Sequence, residues 1–201
     1  MLSPRVIAEG PRWRVLHKPP GWSIDRQGPH PSLKAVFDPV YGPDLFFPLR
    51  LEADVTGLVP ICHDKGMLAQ FTRHLQEGRV KRSYRFLCND VTKVKLTSSQ
   101  ELEPTLDLLK SVKVSQKLHN GLKRVELVEI EKSRASVIRS ALSHLCLSPF
   151  RTPDDWLCMQ LFRLTFPDPI SPTINDITVE MAEPGEWSEW GGAPDDSYII
   201  Q

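Results

Sequence analysis

The sequence predicts an α+β fold, on three observations. Trp13–His17 (WRVLH) sets large apolar residues among polar ones in the pattern of a half-buried strand. Between His63 and Glu77, Leu68, Phe71 and Leu75 recur three and four residues apart, which places them on one stripe of a helix. His119-Asn120-Gly121 carries the Asn-Gly signal of a tight hairpin, joining a strand over Val112–Leu118 to one over Leu122–Ile130. At 201 residues, 40% apolar and 25% charged, the chain has the length and composition of one globular domain with its own core.

The first strand stops at Lys18-Pro19-Pro20-Gly21, because two prolines remove backbone donors and the glycine permits a turn. Gln27–Pro43 is rich in Pro and Gly, with a short helix expected over Ser32–Phe37. Pro48–Val59 (PLRLEADVTGLV) then sets Arg50 and Glu52 ahead of a polar loop with Gly57. Phe46, Phe47 and Leu49 lead in and Leu58, Val59 and Ile61 lead out, as when a chain lifts a few side chains out of a buried sheet. The helix over His63–Glu77 ends at Gly78, a C-cap. Ser83–Cys88, carrying Tyr84, Phe86 and Leu87, reads as a strand. Glu101–Leu109 and Arg134–Leu145 read as helices, and Leu157–Phe166 and Ile174–Met181 as closing strands. The domain is expected over residues 1–187, followed by an acidic flexible tail over 188–201.

Lys and Arg number 25 and are balanced by 25 Asp and Glu, so the totals do not describe a basic polyelectrolyte binder. The distribution is less even. Four of the seven residues from Arg79 to Arg85 are basic (Arg79, Lys81, Arg82, Arg85), whereas Ile170–Gln201 holds seven acids and no Lys or Arg. A nucleic acid responds to the local field, so the basic run is the candidate phosphate contact. Cys62, Cys88, Cys146 and Cys158 form no C-x-x-C pair, and adjacent Cys62-His63 is poorly placed to share a metal. No metal site is expected, and dispersed thiols fit a reducing compartment. No apolar run has the length of a membrane span, so no membrane partner is expected; the compartment stays open.

The Pro48–Val59 segment resembles the H-R-L-D-x-x-T-S-G-L motif of the RluA-type RNA pseudouridine synthases. Arg50, Leu51, Gly57 and Leu58 match; Leu49, Val55 and Thr56 replace His, Thr and Ser, and Glu52 stands at the catalytic Asp position. Lys18-Pro19-Pro20-Gly21 is similar to the family's K-P-x-G. Tyr84 in VKRSYRF matches its V-x-K-x-Y, with Arg82 at the Lys position. Ser133–Arg139 (SRASVIR) resembles G-R-x-H-Q-I-R, retaining Arg134 and Arg139 but replacing His and Gln with Ser136 and Val137. The closing strand MQLFRLTFPDP keeps the family's packing positions Met159, Leu161, Leu164, Phe166 and Pro169.

The resemblance implies a pseudouridine synthase fold, a mixed, largely antiparallel sheet flanked by helices and somewhat reduced. It implies a cofactor-free site in which Glu52 is the carboxylate, Arg50 helps extrude the target base, Tyr84 stacks on it, and Arg139 pairs with Glu52. Arg79, Lys81, Arg82, Arg85, Arg134 and Lys18 are the expected RNA contacts. Two functions remain open. One is a monomeric enzyme that isomerises uridine to pseudouridine in ribosomal or transfer RNA. The other is a non-catalytic RNA-binding or ribonucleoprotein-assembly protein that kept the cleft. The altered motif favours weak or absent activity.

Overall fold

The computed structural model describes residues 3–25, 28–90, 111–115, 122–128, 138, 147–169, 175–187 and 198–200. Trp13–Lys18 (β2) is the strand its alternation predicts, and Arg5–Gly10 (β1) pairs antiparallel along its outer side. Thr56–Cys62 (β3) follows the Arg50–Glu52 loop and is buried at every position. A strand covered on both faces has no polar alternation, so periodicity does not reveal it. Lys81–Asp90 (β4), Ser111–Ser115 (β5) and Leu122–Val128 (β6) come next, with β5 and β6 paired as the expected hairpin. Leu147–Pro149 (β7), Met159–Pro167 (β8), Asp176–Glu180 (β9) and Tyr198–Ile200 (β10) complete the strands among the described residues.

These ten strands form one sheet in the order β1-β2-β3-β8-β4-β6-β5-β10, with β7 added on β4 and β9 on β8. Of these pairings, β3–β8 is parallel and the rest are antiparallel, which is the mixed, largely antiparallel α+β sheet the sequence implied. The apolar Tyr198-Ile199-Ile200 pairs with β5, within the stretch expected to be a surface tail.

Leu33–Tyr41 (α1) starts where Ser32 caps it, its Oγ accepting from the Ala35 N–H. It runs past Phe37 and through Pro39 to Tyr41. Proline removes one intrahelical bond, but packing holds the last turn: Phe37 stacks on Tyr41, and the Arg14 guanidinium lies 4.1 Å over the Tyr41 ring. Lys65–Gln76 (α2) begins two residues after His63, because Asp64 is the cap that accepts from the Met67 N–H at 2.9 Å. Its Met67 and Phe71 are buried, and Phe71 and Trp13 both meet Phe166 of β8. Ile138 is helical and fully buried in the main core. The remainder of the Arg134–Leu145 expectation, and all of Glu101–Leu109, lie outside the described residues.

Candidate functional site

Register decides what the loop faces. Residues paired directly across neighbouring strands present their side chains on the same face. Lys18 on β2 is opposite Gly57 on β3, Gly57 is beside Leu161 on β8, Leu161 is opposite Tyr84 on β4, and Tyr84 is opposite Leu127 on β6. Tyr84 therefore stands two strands from Gly57, about 10 Å at ordinary strand spacing. Gly57 makes the row possible. Its φ is +141°, and a Cβ there would lie 2.6 Å from both the N and the O of Leu161.

The Arg50–Val55 loop is held to this face by Lys18. The Lys18 ammonium is fully buried and donates to the carbonyls of Pro19 (3.2 Å), Trp22 (2.9 Å) and Ala53 (3.1 Å). Burial pushes its pKa down to about 7, against the pull of Asp54. The Gly21 N–H donates to Ala53 O at 2.8 Å, and the Thr56 hydroxyl donates to Lys18 O at 2.9 Å. Leu51 and Val55 face the core while Arg50 and Glu52 are exposed. Arg50 pairs with Asp25, and Asp54 pairs with Arg151 at 3.2 Å.

Several expected RNA contacts sit elsewhere. Lys18 is a clamp inside the protein and presents no charge to solvent. The basic run does not form one exposed patch. Arg79 and Lys81 are exposed, whereas Arg82 is buried. Arg85 pairs with Glu126 at 3.4 Å and packs 4.0 Å over the Phe162 ring. Four cations in seven residues looked like one patch because sequence proximity carries no information about faces. Tyr84 is on the loop's face of the sheet but almost wholly buried, its ring 6.5 Å from Phe86. Arg134, Arg139 and the expected Glu52–Arg139 pair lie outside the described residues. Asp25 and Arg151 were not singled out from sequence; Arg151 meets Asp54 across 97 positions, a pairing no local pattern signals.

The chain superposes on human RNA Pseudouridylate Synthase Domain Containing 1 with a TM-score of 0.66, covering 99% of this chain and 89% of that one at 15% identity. It superposes on human RNA Pseudouridylate Synthase Domain Containing 4 at 0.61, covering 90% and 89% at 11% identity. This is the pseudouridine synthase fold. A crystal structure of a pseudouridylate synthase matches at 0.50 over 84% of this chain and 70% of that one, at 14% identity. No protein-family model and no curated protein sequence matches the chain. At these identities the likeness is one of fold. Within the pseudouridine synthase fold of this chain, the Arg50–Gly57 loop and Tyr84 share one face of the central sheet.

Proposed function

We propose that this chain is an RNA-binding protein of the RluA type of pseudouridine synthase, with Glu52 at the catalytic carboxylate position and slow or absent isomerisation of uridine. The observation that supports it is the row Lys18–Gly57–Leu161–Tyr84, which brings the loop carrying Arg50 and Glu52 to the face bearing an aromatic ring with a hydroxyl. Tyr84 is 2% exposed, so in this reading a uracil extruded from ribosomal or transfer RNA stacks on its ring once the side chains covering it move aside, and its hydroxyl can handle a proton. Arg139 would pair with Glu52, and Arg79, Lys81 and Arg134 would meet phosphates. Glu keeps the charge of Asp on a longer arm, and a misplacement of about 1 Å can cost about 10²-fold in rate. Val55 is fully buried at a motif position that carries Thr, so no hydroxyl steadies the loop there. That observation favours the non-catalytic, assembly-type reading as the alternative.

The test is to incubate the protein with bulk RNA from cells lacking its gene and to map pseudouridine. RNA binding with little or no new pseudouridine is expected. Glu52→Asp raises the yield if the arm length is the main defect and changes little if the altered neighbours are. Robust activity that survives Glu52→Gln would place the chemistry elsewhere and overturn the assignment.

A further inference from the structure

The motif loop turns back on itself at its tip. The Val55 N–H donates to Glu52 O at 3.1 Å, which closes a four-residue turn with Ala53 and Asp54 at its centre. One side of that tip is gripped from within the protein. Ala53 O accepts from the Lys18 ammonium at 3.1 Å and from the Gly21 N–H at 2.8 Å. Both bonds meet at a single oxygen, and a turn held at one atom can still pivot about it. The second grip is on Asp54, whose carboxylate accepts from Arg151 Nη2 at 3.2 Å.

Arg151 is itself part of a braced segment. The Phe150 N–H donates to Leu87 O at 2.8 Å and the Leu87 N–H to Cys158 O at 3.1 Å, so residues flanking Arg151–Leu157 are pinned to β4. The segment is closed by the bridge between Arg151 and Leu157 and by the Thr152 N–H, which donates to Trp156 O at 2.9 Å. At its tip Asp155 has φ +64°, a left-handed conformation that non-glycine residues adopt at a cost. Arg151 Nη1 holds it there, donating to Asp155 O at 2.8 Å. Trp156 leans on the neighbouring turn, where a Cβ on Gly21 would lie 2.9 Å from its Cη2. One guanidinium thus joins the strained tip of its own segment to the tip of the motif loop, 97 positions away.

We propose that Arg151 is a positioning residue for the motif loop. Through Asp54 it stops the Glu52–Val55 turn from pivoting about Ala53 O, and so aims Arg50 and Glu52 at the RNA. This role rests on the RNA-binding function proposed above and adds to it a residue outside the motif. Arg151 and Asp54 are 46% and 25% exposed, and an ion pair at such a surface adds little to global stability. Its effect is local, on which way a short turn points. Reacting geometry tolerates an error of only about 1 Å, so a pivot of that turn outweighs the strength of the bond that prevents it. Nη1 and Nη2 of Arg151 are already engaged within the protein, so its route to RNA runs through Asp54 rather than through a phosphate.

The experiment compares the full chain with Arg151→Gln, Asp54→Asn and the double variant in two measurements. Amide hydrogen exchange followed by NMR needs no RNA. The Gly21 and Val55 amides report the turn, and should exchange about tenfold faster in each single variant and no faster still in the double, with the β3 amides unchanged. RNA affinity is the second readout. Asp54→Asn should weaken it about tenfold although it removes a negative charge, Arg151→Gln should match it, and the double variant should be no worse. Asp155→Asn removes an equal charge but keeps the carbonyl that Arg151 holds, and should not weaken binding. Unchanged exchange at Gly21 and Val55, or RNA affinity equal in all the variants, would overturn the proposal. So would tighter binding by Asp54→Asn, because Arg151 would then act as a phosphate contact of its own. Absence of RNA binding by the natural protein would overturn the proposed function, and hydrogen exchange alone would then decide whether Arg151 holds the loop.

Discussion

Gly57→Ala probes the close approach on which the candidate site depends. The added Cβ would lie 2.6 Å from Leu161 N, 2.6 Å from Leu161 O and 2.8 Å from Leu161 Cβ, and two of these atoms are backbone, which cannot swing aside. The backbone at φ +141° is also one that alanine rarely adopts. Holding a non-glycine residue there costs about 1–3 kcal/mol, and overpacking adds about 1–3 kcal/mol. The sum, about 2–6 kcal/mol, is a large share of a stability of about 5–15 kcal/mol and lowers Tm by roughly 4–24 °C in a chain of this size. Gly42→Ala separates the two causes. Its φ is +98° and nothing lies within 4 Å of its Cβ position, so it carries the backbone cost alone. Thermal unfolding followed by circular dichroism on both variants reads the difference. If Gly57→Ala is no less stable than Gly42→Ala, β3 does not sit against β8 as described, and the row linking the motif loop to Tyr84 fails with it.

Further outcomes follow from the charged side chains. Arg124 and Glu183 are 8% and 12% exposed, so Arg124→Met or Glu183→Gln alone should cost about 3–5 kcal/mol in chemical denaturation, while replacing both by Met should recover most of it. Lys18 has a folded pKa of about 7 against 10.5 free, so between these values the unfolded chain binds the extra proton and stability rises with pH. Relative to Lys18→Met, the natural protein should gain about 2 kcal/mol between pH 7 and pH 9. Above pH 9, burial of Cys62 and Cys158, both pushed up to about 12, works the other way, because only the unfolded thiols ionise. A flat difference across pH 7–9 would show that Lys18 keeps its proton throughout. Arg79→Gln with Lys81→Gln should weaken RNA binding and shallow its salt dependence by about two phosphate contacts. Arg85→Gln, which breaks the Glu126 pair, should lower stability and leave the salt slope unchanged.

The local elements were legible from the sequence because short-range chemistry dictates them. The stripe Leu68, Phe71 and Leu75, the Pro-Pro-Gly stop and the β5–β6 hairpin each depend on residues within a few positions of one another. The motif loop was legible too, since Leu51 and Val55 are buried while Arg50 and Glu52 are exposed, as a loop lifting out of a sheet requires. The face of each residue was not. Lys18 and Arg82 have the same composition signal as Arg79 and Lys81, yet the first pair is inside and the second outside. Charge along a chain is one-dimensional, and strand pairing between residues tens of positions apart decides which cations reach solvent. The meeting of Arg151 with Asp54, and of Gln160 with His17 and Thr56 around one cavity, belongs to the same class. Those neighbours are set by sheet order, which brings β3 beside β8 and β8 beside β4, and no periodicity within any single strand encodes that order.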